Sequence, residues 1–197
     1  MRRELVTSAI AIVALTILLG IVYPLAVTAV SQLTFPGNAN GQRIYVKGRL
    51  AGSKLIGQSF AGNGRYFQSR PSATTPPDNP AATTFSNLGP NNIATEREIA
   101  ANIASYLKLE RPYDKRLTAA QVPVDAADSS ASGIDPDISE ANAKIQARRV
   151  AAARGLPLGR VMQLIAEYTH GRGLGFSGEP GVDVLELNLA LDRVGRG

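Results

Sequence analysis

Residues 5–30, LVTSAIAIVALTILLGIVYPLAVTAV, decide the architecture. No side chain in the run is charged, nearly all are Leu, Ile, Val or Ala, and the charge-free stretch continues to Gln42. A bilayer's hydrocarbon core of roughly 30 Å needs about 20 apolar residues, because lipid offers backbone N–H and C=O groups no partner. The sequence therefore predicts one transmembrane helix over residues 5–32, with an apolar run from Leu5 to Val30 that leaves room for tilt. Pro24 removes one intrahelical hydrogen bond and predicts a kink. Tyr23 and Phe35 suit the membrane interface. A cleaved signal peptide, with Val27-Thr28-Ala29 as its cleavage site, and a buried core helix are the other readings; the length favours an anchor.

Charge near the ends of the span does not by itself orient it. Arg2 and Arg3 precede the helix with Glu4 between them and the apolar run, while Arg43, Lys47 and Arg49 follow a neutral gap. A short basic N-terminus tends to stay inside, and a long domain crosses largely regardless of its charge. The expected topology is residues 1–4 in the cytoplasm, a single pass through the membrane, and the soluble domain on the outer side. The chain has no Cys, which suits an oxidising compartment without proving one. Beyond residue 32 the chain carries 19 basic and 15 acidic side chains, a mild excess. With no Lys/Arg block interleaved with aromatics, nucleic acid is not an expected partner.

Residues 33–43 read as a linker, with Pro36-Gly37-Asn38-Ala39-Asn40-Gly41 its turn-rich part, and residues 44–197 as one soluble domain. Ile44–Val46, Leu55–Phe60 and Tyr66-Phe67 have β character, which predicts two or three short strands. Residues 70–92 hold Pro71, Pro76, Pro77, Pro80 and Pro90 and form a long loop. Thr95-Glu96-Arg97-Glu98 has the form of a capping box ahead of a helix over about 95–109. After a second irregular stretch, 122–138, Ser139 as N-cap and Gly155 at the C-terminal cap bound a helix over 140–154. Pro157, Leu158, Val161, Ile165 and Tyr168 describe another, ending near Gly171. Asp183, Leu185, Leu187, Leu189 and Leu191 alternate with Val184, Glu186, Asn188 and Ala190 and predict a closing strand. The fold class is one transmembrane helix followed by an α+β domain with helices packed on a small sheet.

Chemistry-bearing constellations are sparse. One His and no Cys leave neither a Cys/His zinc cage nor a thiol nucleophile, and no metal site is expected. His170 reads as a cation near a helix C-terminus. Gly173-Leu174-Gly175-Phe176-Ser177-Gly178 has dinucleotide-fingerprint spacing but precedes a strand instead of following one. Asp125, Asp128, Asp135, Asp137 and Glu140 suit a solvated loop and helix start as well as they suit a cation site or acid/base chemistry. Ser132-Gly133, ahead of the helix that carries Gln146, Arg148 and Arg149, is the best candidate for an anion contact, although the nearby acidic residues would repel phosphate.

Seven motifs lie in register along nearly the whole chain. They are Tyr23-Pro24 in the anchor; Gly52-Ser53-x-Leu55-Ile56-Gly57-Gln58; Tyr66-Phe67-x-x-Arg70-Pro71-Ser72-Ala73; Ser86-Asn87-Leu88-Gly89-Pro90; Ser132-Gly133-Ile134-Asp135-Pro136-x-Ile138-Ser139; Gln146-x-x-Arg149-Val150-Ala151-x-Ala153-Arg154-Gly155; and Leu174-Gly175-Phe176-x-Gly178-Glu179-Pro180 with Val184-Leu185-x-Leu187-Asn188-Leu189-Ala190-Leu191-Asp192. In that order they resemble the C subunits of the bacterial potassium-transporting Kdp ATPase. This sequence departs from the family habit at Ile134, Asp137 and Gly181-Val182-Asp183, where Leu, His and Arg-Val-Asn are frequent.

The resemblance implies an accessory subunit that does not itself hydrolyse ATP. Its partners would be a channel-like potassium-selecting subunit, a P-type ATPase subunit, a small fourth subunit and membrane lipid. The family's C subunit is described as a catalytic chaperone that raises the ATP affinity of the ATPase subunit. That description makes Ser132, Gly133, Gln146 and Arg149 candidate nucleotide contacts, with no tightly bound cofactor and ATP reached through the ATPase subunit. A periplasmic domain could not touch cytoplasmic ATP, so the effect would then pass through subunit contacts, with residues 70–92 and 125–138 as candidate surfaces. Two readings compete. A membrane-anchored periplasmic enzyme using Asp135, Asp137 and Glu140 predicts activity from the isolated domain. A pilin-like subunit predicts a prepilin cleavage sequence ahead of the helix.

Overall fold

The computed structural model describes residues 2–82, 84 and 87–194; Ser86 of the matched motifs lies outside the described residues. The chain divides into two units, Met1–Ala51 and Gly52–Gly197.

In the first unit, one helical rod runs from Arg2 to Thr34 with a peak mean hydropathy of 2.7. It consists of α1 (Arg2–Ile17), a π turn (Leu18–Val22) and α2 (Tyr23–Thr34). At ~1.5 Å per residue the rod measures about 50 Å, more than a hydrocarbon core requires. No residue of it is buried within the protein, so it is not the core helix of a soluble domain. Pro24 acts where expected. In the turn just before it, the Tyr23 N–H reaches back five residues to Leu18 O, and this wider turn makes room for a ring that has no N–H to give. A single helical turn, α3 (Pro36–Ala39), follows. The Asn40 side chain ties it to α2 by donating to Gln32 Oε1 at 3.0 Å. A hairpin of β1 (Arg43–Val46) and β2 (Arg49–Ser53) comes next. Its two-residue turn, Lys47-Gly48, has positive φ at both positions, the geometry that matches the twist of paired strands.

The second unit is α+β. Its elements are α4 (Ile93–Glu110), the one-turn α5 (Val124–Ala127), β3 (Asp137–Ile138), α6 (Glu140–Arg154), α7 (Leu158–Glu167), β4 (Thr169–His170), β5 (Gly181–Asp183) and α8 (Val184–Val194). The strands form one antiparallel sheet with β5 in the middle, where Ile138 and Thr169 both pair with Val182. Phe67, Ile138, Ala147, Val150, Val161, Ile165, Val182, Leu187 and Leu191 meet in the core, which α6, α7, α8 and the sheet enclose.

Four expectations change. The closing strand is a helix, because β5 stops at Asp183 and α8 takes over. Val184, Leu187, Asn188 and Leu191 fall on one buried helical stripe, and the Asp183 carboxylate accepts the Glu186 N–H at 2.7 Å as a cap. Alternating leucines cannot exclude a helix when its buried stripe is wide enough to include them. Residues 55–60 and 66–67 are not ladder strands; Ile56 makes only an isolated bridge to Ser53. The capping box at Thr95 is not used, since α4 starts at Ile93 with Asn92 accepting the Ala94 N–H at 2.9 Å. His170 is on β4, beyond the end of α7, and not at a helix terminus. By contrast, α6 runs between the expected caps. The Ser139 hydroxyl accepts the Asn142 N–H, and Gly155 is left-handed at φ +67.

Candidate functional site

The most concentrated polar chemistry lies along one side of α6. Asn142, Gln146 and Arg149 are spaced by four and three residues, which places them on one helix face. All three are buried, with Gln146 1% and Arg149 0% exposed. Buried polar groups are costly unless partnered, and here the partners are specific. Gln146 Oε1 accepts from the Gln68 N–H at 2.7 Å and from Arg149 at 2.8 Å. Gln146 Nε2 donates to Gln68 O at 3.1 Å and to Asn142 Oδ1 at 2.9 Å. That fills all four hydrogen-bonding positions of the amide. Arg149 also donates to Glu110 at 2.8 Å and to the carbonyls of Gly64 and Tyr66 at 2.6 and 2.9 Å.

The same device operates from α8. Asn188 Oδ1 accepts the Phe67 N–H at 2.8 Å and its Nδ2 donates to Phe67 O at 3.0 Å. Two consecutive residues of an extended segment are thus held by side-chain amides in place of a neighbouring strand. This is why Tyr66-Phe67 reads as β in sequence yet belongs to no sheet. Arg154, stacked 4.7 Å over the Tyr66 ring and paired with Asp192 at 2.9 Å, fixes the segment from outside.

A cavity of about 330 Å³ opens beside this network. Its lining includes Tyr106 and Glu110 of α4, Asn142 and Gln146 of α6, and Arg70 and Asp78 of the proline-rich stretch. The Tyr106 hydroxyl donates to Asn142 Oδ1 at 2.8 Å. Burial raises the Glu110 carboxyl above its ordinary range, against the pull of Arg149, and burial together with the Glu110 and Asp125 charges raises the Tyr106 hydroxyl. Asp78 is pushed up to about 6 by burial and by Asp135. Glu110 Oε2 and Arg70 Nε have no hydrogen-bond partner among the described residues.

Of the four candidate nucleotide contacts, only Gln146 lines this cavity. Ser132 lies on the surface and accepts the Ile134 N–H at 3.2 Å. Gly133 is buried at φ +71, and a Cβ there would press on the Thr74 side chain and the Thr84 carbonyl. Its carbonyl accepts from Ser72 Oγ at 2.7 Å. No hydrogen bond joins Ser132 or Gly133 to Gln146 or Arg149 among the described residues.

The acidic residues are dispersed as well. Asp125 accepts the N–H and hydroxyl of Ser139 and the Asn142 amide, at 2.7 to 2.9 Å. Asp135 pairs with Arg70 at 2.9 Å, Asp137 with His170 at 3.4 Å and Glu140 with Lys144 at 2.7 Å. Burial raises the Asp137 carboxyl, which His170 opposes. No group of three or more His, Cys, Asp or Glu suited to a metal ion occurs among the described residues. The sequence signal for the site was the polar stripe on α6 itself, together with Tyr106 and Glu110 one turn apart on α4.

One helix long and apolar enough to cross a bilayer, ahead of an α+β domain, defines the class: a candidate single-span protein with one folded domain. Comparison with known proteins gives the particular family. Residues 5–193 match the family model described as KdpC: K+-transporting ATPase, c chain. Similar proteins named "Potassium-transporting ATPase KdpC subunit" occur in Mycobacterium bovis, 46% identical over 98% of this chain and all of the relative. Others occur in Herpetosiphon aurantiacus, 47% over 93% of each chain, and in Methylibium petroleiphilum, 47% over 98% of each. The chain belongs to the KdpC family.

Proposed function

We propose that this chain is the accessory subunit of an ATP-driven potassium pump, anchored by its single helix with the N-terminus in the cytoplasm and the domain on the outer side of the membrane. It assembles with the channel-like, ATPase and small fourth subunits and stabilises their complex. The observation that carries this reading is the extent of the family match, residues 5–193, which takes in anchor and domain together.

The family's effect on ATP affinity reaches the ATPase subunit, in this reading, through contacts between subunits. Direct nucleotide contact by Gln146 or Arg149 would require giving up internal partners, because the Gln146 amide is fully engaged and Arg149 is buried by Glu110 and two carbonyls. The surfaces for subunit contact are the proline-rich stretch 70–92 and the loop 125–138. The enzyme reading has little to build on, since Asp135, Asp137 and Glu140 each answer to a different basic side chain.

Deletion of the gene tests the proposal. Growth at micromolar external potassium should be lost and restored by the full chain supplied in trans, while growth at millimolar potassium stays normal. Undiminished growth of the deletion strain at micromolar potassium, with the other potassium uptake systems removed, would refute it.

A further inference from the structure

The first unit divides its charges between its two ends. Residues 1–51 hold one acidic side chain, Glu4, beside Arg2 and Arg3, and the next acid in the sequence is Asp78. At the other end of the rod, about 50 Å away from Glu4, Arg43, Lys47 and Arg49 are gathered on the β1–β2 hairpin. All three are exposed, and so are Tyr45 at 56% and Leu50 at 59% beside them.

The hairpin starts close to the last turns of the rod. Beyond Thr34 the chain doubles back through α3, where Asn40 Nδ2 donates to Gln32 Oε1 at 3.0 Å and to Pro36 O at 2.7 Å. The Gln32 amide returns a bond to Asn40 Oδ1 at 3.5 Å. Asn40 therefore lies beside Gln32, and β1 begins at Arg43 from that level instead of from a chain extended away from the helix end. The exposed apolar surface of the rod reaches the same level through Leu33 and Phe35. Aromatic side chains concentrate where a span gives way to headgroups.

We propose that the β1–β2 hairpin rests on the bilayer that its own helix crosses, with Arg43, Lys47 and Arg49 on the phosphates of anionic phospholipids and Tyr45 and Leu50 in the interface. The inference rests on the membrane span proposed above. Lys and Arg carry phosphate-binding heads on stems that cover apolar surface, and Tyr suits the boundary between the two layers. Each cation near an anionic surface favours binding by roughly fivefold, so three favour the docked hairpin by about a hundredfold. The rod makes the encounter intramolecular, at an effective concentration that an untethered hairpin lacks. An acidic protein face would answer the cations and leave Tyr45 and Leu50 unanswered. A bilayer answers both, with anionic headgroups above an apolar layer.

The chain has no Trp, so an introduced one reports alone. Full-length Tyr45→Trp chain is placed in vesicles of phosphatidylcholine, with or without phosphatidylglycerol, that carry a spin label on the lipid headgroups. Its fluorescence should be quenched in the anionic vesicles, and high salt should reverse the quenching. Adding R43Q/K47Q/R49Q, which keeps long polar side chains at exposed positions, should shift the hairpin off the surface by about a hundredfold and bring the quenching down to the phosphatidylcholine level. R43K/R49K keeps the charges and should stay quenched. Equal quenching in the two lipids, or with and without the three cations, would overturn the hairpin proposal alone. Shielding of the indole from the label once the other pump subunits are bound would also overturn it, since the cations then belong to a protein face. Leu15→Trp in the rod checks the reading underneath: it should be quenched by labels on the acyl chains in either lipid, and if it is not, the span and the docked hairpin fall together.

Discussion

Asp183 shows how one side chain sets a pH dependence. It faces Asp137 across the β3–β5 pairing and caps α8 through the Glu186 N–H. Burial pushes its carboxyl up to about 6, opposed first by that hydrogen bond and reinforced by the charges of Glu186 and Asp137. A carboxyl with a raised folded-state pKa holds its proton more tightly in the folded domain than in the unfolded chain. Its stabilisation is therefore complete below the ordinary value of 3.8 and is lost as pH rises through about 6. Asp183→Asn does not titrate and can keep the cap through its amide oxygen. The melting temperature of wild type relative to this variant should fall between pH 4 and pH 7, and a constant difference across that range would refute the assignment. At this scale the sequence was legible where a residue's role is local: Ser139 and Gly155 declare themselves as caps by type and position. Gln146, Arg149 and Asn188 did not. Their backbone partners lie 78 to 121 residues away, and no local pattern encodes such a meeting.

Among elements, α6 was read correctly at both ends and α8 was misread throughout, for one physical reason. Ser139 and Gly155 are used as caps where their type and position suggest, although the box at Thr95 goes unused, whereas alternating leucines satisfy a strand and a broadly buried helix equally well. The cap of α6 can be tested directly. Gly155 is left-handed and nothing lies within 4 Å of where its Cβ would be, so Gly155→Ala meets no clash and isolates the conformational penalty. Urea denaturation of the domain should show a loss of about 1 kcal/mol. A loss several times larger would mean that the residue does more than end the helix. Leu55–Phe60 and Tyr66-Phe67 were read as strands and neither joins a ladder; at Phe67 and Gln68 the amides of Asn188 and Gln146 take the hydrogen bonds that a neighbouring strand would have supplied.

For the whole molecule the sidedness of the domain is the decisive quantity. The sequence contains no Cys, so a single introduced thiol is an unambiguous reporter. Val124, at the start of α5 and 77% exposed, is a suitable site because its replacement disturbs no packing. In intact cells with a permeable outer envelope, Val124→Cys should react with a membrane-impermeant maleimide. Labelling only after the inner membrane is broken would place the domain in the cytoplasm and reopen direct nucleotide contact. The grip on Phe67 bears on when such a domain can fold. Residue 67 finds its two hydrogen bonds only when residue 188 has arrived, 121 positions later. Closing so wide a loop comes late and slowly in folding. During synthesis, then, the chain that follows the apolar helix has no finished core to collapse onto until its last helix has been made, and in the outer-side topology proposed above it would cross the membrane before it locks.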